Sequence, residues 1–195
     1  MIKIMKFCVV FLILFVQLGN AQKSPITPKM RQFKNDTVVW KKDSFLVKEN
    51  FKSKTKGNYL GLTYTGILLY PTEDNGNLIF YIQAIVVKSK SYLKDFSPYV
   101  LKHEQLHFDI TELYARKLRK IISEKDFKKV KNVQEQITKM YTKVNDELQK
   151  EQNKYDEDTE HGINSAKQKV WSEKIAQELI EYEPYSVASI DIANK

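Results

Sequence analysis

HEQLHFDITELYARKLR, residues 103 to 119, decides how the chain is read. It opens on HExxH, with His103 and His107 four residues apart and Glu104 after the first. On an α-helix that spacing returns to nearly the same face one turn along, so two imidazoles can grip one metal ion while the glutamate stands beside it. Continued at 100° per residue, the histidine stripe runs through Ile110, Tyr114, Leu118 and Ile121. Leu106 and Leu113 flank it on one side, Phe108, Ala115 and Ile122 on the other. The remaining arc, assigned to solvent, carries Lys102, Asp109, Glu112, Arg116, Arg119 and Lys120. Such a helix is central, with its histidines facing inward. A buried polar pair needs a partner, and a metal is the natural one.

Before this helix the chain is written in strands. TVVW (37–40) and SFLV (44–47) are short β-type runs, and YLGLTYTGILLY (59–70) and LIFYIQAIVV (78–87) are longer ones. Asn75-Gly76 between the last two signals a hairpin, here with a loop expected to exceed two residues. A small antiparallel sheet of three or four strands is therefore expected before residue 90. Ser97-Pro98 supplies an N-cap and an N1 proline for the central helix, which should end near Ile122. SEKD (123–126) reads as a capping box opening a second helix from about Lys125 to Asn153, with Phe127, Val130, Val133, Ile137, Met140, Val144 and Leu148 along one seam. The seam suits packing on the first helix, and a dimerising coiled coil could use the same pattern, which leaves the oligomeric state open.

YDEDTEHG (155–162), with four acids and a glycine, reads as a loop. A third helix follows, with Val170, Trp171, Ile175, Ala176, Leu179 and Ile180 in its core arc, ending before Pro184. Strands first and helices after give an α+β, zincin-like fold in a single domain spanning 37–184, with 185–195 a tail.

The chain has only three histidines, so His161 is the one left to complete a metal site. An antiparallel second helix of that length would overshoot the motif by about 12 Å, and the eight steps back to His161 can cover about 26 Å, so the return is feasible. Asp156, Asp158 and Glu160 are rivals for the third position. Glu112 is not, since nine residues past His103 place it on the opposite side of the helix.

Met1–Ala21 reads as a signal peptide: Lys3 and Lys6, then the apolar run Phe7–Leu18, then Gly19-Asn20-Ala21 at the cleavage position. Twelve apolar residues are too few to span a bilayer, which needs about 20. Cleavage leaves 174 residues of 195, enough for one domain with a real core, preceded by a loose leader over 22–36. It also removes the only cysteine, Cys8, so no disulfide is available to the secreted domain. The net charge of +8 falls to +6, and the lysines form no stripe interleaved with aromatics. A solvated surface, rather than a nucleic-acid interface, is the expectation.

With HEQLHFDITELYAR, YDEDTEHG, Gln168-x-x-Trp171, SFLVKENF, TYTGI and SYLKDFSPYVLK, the chain resembles a family of bacterial secreted domains of unknown function that carry a zinc-dependent protease label. The resemblance covers roughly Trp40 to Glu181. It implies His103, His107 and His161 as zinc ligands and Glu104 as the base. Leu106 departs from the glycine usual at that position and adds bulk beside the site.

The expectation from motif and resemblance together is hydrolysis of a peptide or protein substrate. Three protein ligands leave one Zn2+ position open for water, and Glu104 moves the proton. A strand within Leu78–Val87 would align an extended substrate by edge pairing, and Tyr155 is a candidate donor to the oxyanion. Two alternatives share the motif: a non-catalytic module in which zinc ties the helix to the 155–162 segment, and a hydrolase acting on another amide such as cell-wall peptide.

Overall fold

The computed structural model describes residues 33–54, 57–74 and 77–192. The signal peptide and most of the leader expected from the sequence lie outside these residues. In order, the chain forms β1 (Thr37–Val39), β2 (Gly61–Leu62), β3 (Thr65–Asp74), β4 (Asn77–Val87), β5 (Tyr92–Leu93), three long helices α1 (Pro98–Ser123), α2 (Val133–Thr159) and α3 (Ser165–Glu181), and β6 (Ser189–Asp191). The architecture is α+β, as expected.

The hairpin of β3 and β4 is the base of the molecule. Its antiparallel ladder runs from Thr65↔Val86 to Asp74↔Asn77, which continues the pairing into the stretch expected to form a longer loop; Asn75 and Gly76 lie outside the described residues. Pro71 is tolerated because β3 is an edge strand. The other edge of β4 is shared by β1, which pairs with Ile85–Val87, and β6, which pairs with Ile79–Tyr81. Two expectations change here. The C-terminal segment assigned to a tail supplies a strand, and β4, with neighbours on both sides, has no edge left for a substrate.

Alternation decides the faces. Ile67, Leu69, Phe80, Ile82, Ala84 and Val86 join the main core with the helices, whereas Leu68, Ile85 and Val87 pack on the opposite face with Phe33, Val39, Tyr64 and Tyr70. SFLV is no strand. Its Leu46 N–H donates to Gln105 Oε1 (2.8 Å), tying that segment to α1.

Ser97 and Pro98 begin α1 as read from the sequence, with Ser97 Oγ accepting from Val100 N–H. α2 starts eight residues later than expected. Ser123 Oγ donates to Lys120 O and Asp126 accepts from Lys128 N–H, so the link 124–132 folds on itself, buries Phe127 and leaves the cap to Asn132. At 1.5 Å per residue, eight residues remove about 12 Å, the overshoot that the sequence implied. α2 therefore stays helical through the segment read as a loop, and its seam continues through Gln152, Tyr155, Asp156 and Thr159, all buried. In α3 only Gln168, Trp171 and Ile175 are buried, while Val170 and Ile180 face solvent.

From His103 to Arg119 every residue of α1 except Asp109 and Lys117 is buried. The arc assigned to solvent is thus buried at Glu112, Arg116 and Arg119, whose charges are paired, while Lys102 remains exposed. Glu112 Oε1 accepts from Arg116 Nε and from Arg119 (3.0 Å each). Arg119 also donates to Ile82 O on β4 and to Tyr185 O, and Arg116 donates to Leu179 O and Glu183. Trp40 Nε1 closes the remaining side on Asp109 (2.8 Å).

Replacing Glu112 with alanine leaves two buried guanidinium groups without their shared carboxylate, which should cost about 3–5 kcal/mol in chemical denaturation. A loss below about 1 kcal/mol would show that the network is not buried in solution.

Candidate metal centre

The N-terminal half of α1 presents His103, Glu104 and His107 to a pocket also lined by residues 59–62 and 161–163. α2 brings Asp156 to the same point. His103 Nε2 and His107 Nε2 are 3.3 Å apart, and Asp156 Oδ1 lies 3.3 and 3.1 Å from them. All three residues are buried. Donor atoms around a tetrahedral centre with bonds of about 2.0–2.1 Å stand about 3.3–3.4 Å apart, so the triangle fits one face of such a site.

The outer partners fix which nitrogen is free. Gln152 Nε2 donates to His107 O and Thr111 Oγ1, which turns Gln152 Oε1 onto His107 Nδ1 (2.5 Å). Tyr155 donates its hydroxyl proton to Gln168 Oε1 (2.7 Å), and His103 Nδ1 lies 2.7 Å from the phenol oxygen and 3.0 Å from Gln168 Oε1. In the neutral rings these acceptors favour the proton on both Nδ1 atoms and direct each Nε2 lone pair at the common point, the arrangement that metal-ligating histidines adopt.

Two glycines bring backbone close to this site. Gly162 has φ +85°, and a Cβ there would stand 3.0 Å from His103 Cγ. Gly61 faces Glu104, and a Cβ there would fall 2.9 Å from the Glu104 carboxyl carbon. Thr63, fully buried, donates to Glu104 Oε2 (2.6 Å). Burial raises the Glu104 pKa above the ordinary carboxylate value, opposed by the two histidines and the Thr63 bond. Burial acts in the same direction on Asp156, but the histidines around it win and hold it well below the usual range. His107 behaves conversely. Burial acts downward, Asp156 outweighs it, and the metal-free pKa stands at about 9.

His103, His107 and Glu104 therefore meet as the sequence suggested. His161 lines the same pocket, its Nδ1 3.7 Å from Asp156 Oδ2 and its ring 4.5 Å from that of Tyr59, but its side chain is 42% exposed and outside the close triangle. Of its rivals, Asp156 completes the triangle. Asp158 instead accepts from Trp171 Nε1 (3.0 Å), and Glu160 caps α2 in the left-handed region. Tyr155 is buried behind His103 and holds that ring, so it does not face a substrate. Thr63 and Gln152 were missed. For Gln152 a signal existed: it occupies a seam position between Leu148 and Tyr155 where an apolar residue is expected.

Residues 87–162 match the model of DUF922, a family described as a bacterial protein of unknown function. The matched span contains α1, α2 and the turn through His161 and Gly162, and so every donor of the centre together with Glu104. No curated protein and no solved structure matches the chain.

With His107 protonated at neutral pH in the metal-free protein, uptake of a divalent metal must expel that proton. Apparent affinity should climb by up to roughly tenfold per pH unit from neutrality towards pH 9 and then level off. Competition titrations with a chromophoric chelator measure this, and a pH-independent affinity would contradict it.

Proposed function

We propose that the protein is a secreted zinc-dependent peptidase. The observation that carries this reading is Glu104: a buried carboxylate one residue from a metal-binding histidine, opening onto the same pocket as the three donors. Two imidazoles and one carboxylate form a ligand set suited to zinc and leave one tetrahedral position unclaimed. Zinc in such a site supplies acidification of water and polarisation of a carbonyl.

The chain's own groups do the rest. Gln152 and the Tyr155–Gln168 pair keep the two rings oriented. Thr63 engages Glu104 Oε2, which leaves Oε1 to take a proton from the attacking water and return it to the leaving amine. Secretion is supported by the residue pattern of Met1–Ala21, and among the described residues no helix is long and apolar enough to cross a membrane.

One observation favours a second reading, a zinc-stabilised module without catalysis. His161 stands beside Asp156, and a modest movement would let it close the site as a fourth ligand.

Glu104→Gln separates the two. In the catalytic reading it keeps the metal and lowers hydrolysis of denatured casein by at least about 100-fold. Unchanged hydrolysis, or none in the zinc-loaded parent, would sink the catalytic reading. Thr63→Val should lower turnover about tenfold with little change in KM, while Thr63→Ser should retain it. Equal turnover in both variants would remove Thr63 from the mechanism.

A further inference from the structure

Three features of the pocket lead from the reaction to its substrate. The first is the hydrogen-bonding phase of β2. Lys94 N–H donates to Leu60 O (2.7 Å), and Gly61 is opposite Leu93 in the ladder. In an antiparallel pair the bonded and non-bonded positions alternate, so Leu60 and Leu62 bond to β5 while the N–H and C=O of Gly61 point to the other edge. Tyr64 N–H keeps the same phase by reaching Ser91 Oγ. Among the described residues nothing bonds to either group of Gly61, and Gly61 lines the pocket with its Cα against the Glu104 carboxylate.

The second feature is the rim. Leu60 is 57% exposed and Ile163 77% exposed, both lining the pocket, and Tyr99, also exposed, lines it from the first turn of α1. Single exposed apolar residues need no explanation, but three around the mouth of one polar site form a collar that an apolar side chain can cover. The third feature is size. The cavity measures about 150 Å3, a volume that accommodates a benzene-sized group.

We propose that this site takes extended peptide segments carrying a bulky apolar side chain, docked through the main chain of Gly61 and selected by the collar of Leu60, Tyr99 and Ile163. The inference rests on the peptidase reading and extends it to the class of substrate. A free strand edge recognises any extended backbone, so the collar supplies the discrimination.

The test uses the full chain carrying Glu104→Gln, loaded with zinc, and fluorescence anisotropy. The probes are fluorescein-labelled Gly-Ser-Phe-Leu-Ser-Gly, the same peptide with Ser-Ser for Phe-Leu, and versions N-methylated at successive residues. The Phe-Leu peptide should bind about tenfold more tightly than the Ser-Ser peptide, and N-methylation should weaken it about tenfold at one residue but not at its neighbours. Leu60→Asp and Ile163→Asp, both at exposed positions, should each weaken it about tenfold with zinc content unchanged. Equal affinities across the series, or no binding, would overturn the inference. Digestion of the unlabelled Phe-Leu peptide by the parent protein judges the reaction separately. Binding without cleavage would retain the inference and sink the peptidase reading, whereas cleavage without the apolar and N-methyl pattern would do the reverse.

Discussion

Three electron-pair donors held within 3.3 Å of one another in a buried place are the constraint on which this structure turns. Two imidazole lone pairs and a carboxylate oxygen repel at that range unless a cation stands among them. A proton on His107 serves in the metal-free chain, and a divalent metal serves better. The cluster exists because α1 is wrapped on nearly every side. The β3–β4 hairpin lies under it, α2 and α3 pack along it, and the segment around Trp40 and Leu46 covers the flank that remains.

The two ends of α1 solve the burial of charge differently. At the C-terminal end, Glu112, Arg116 and Arg119 satisfy one another and reach β4 and the 179–185 segment, so the charges are spent on holding the domain together. At the N-terminal end, Glu104 has one short bond from Thr63, and Asp156 has only the histidines, so those groups keep capacity for a metal and a water. A rigid helix anchored at one end thus presents chemistry at the other. Because the donors come from two helices, α1 and α2, and the outer partners of their rings from α2 and α3, metal binding should also stabilise the folded chain.

Much of this was legible in the sequence because it is local. HExxH at helical spacing, the Ser97-Pro98 start and the pairing of the two β-rich runs each need only neighbouring residues, and each is found. What was not legible depends on distant partners. Ser123 and Asp126 have the pattern of a capping box, but their side chains bond to the preceding and following backbone, so α2 begins at Val133. Four acids near a helix C-terminus oppose the macrodipole and suggest a loop. Burial of Tyr155, Asp156 and Thr159 overrides that cost. Glu112, Arg116 and Arg119 look like a solvated face until Ile82, Leu179 and Tyr185 are known to lie beside them. Asp156 stood among three rival carboxylates because a loop gives no facing, and the helix gives one.

The most direct test of the account is anomalous diffraction on both sides of the zinc absorption edge, from crystals grown with zinc. One strong peak is expected about 2.0–2.2 Å from His103 Nε2, His107 Nε2 and Asp156 Oδ1, with Glu104 outside bonding distance. A peak bound by His161 in place of Asp156, or no peak between the two histidines, would contradict it.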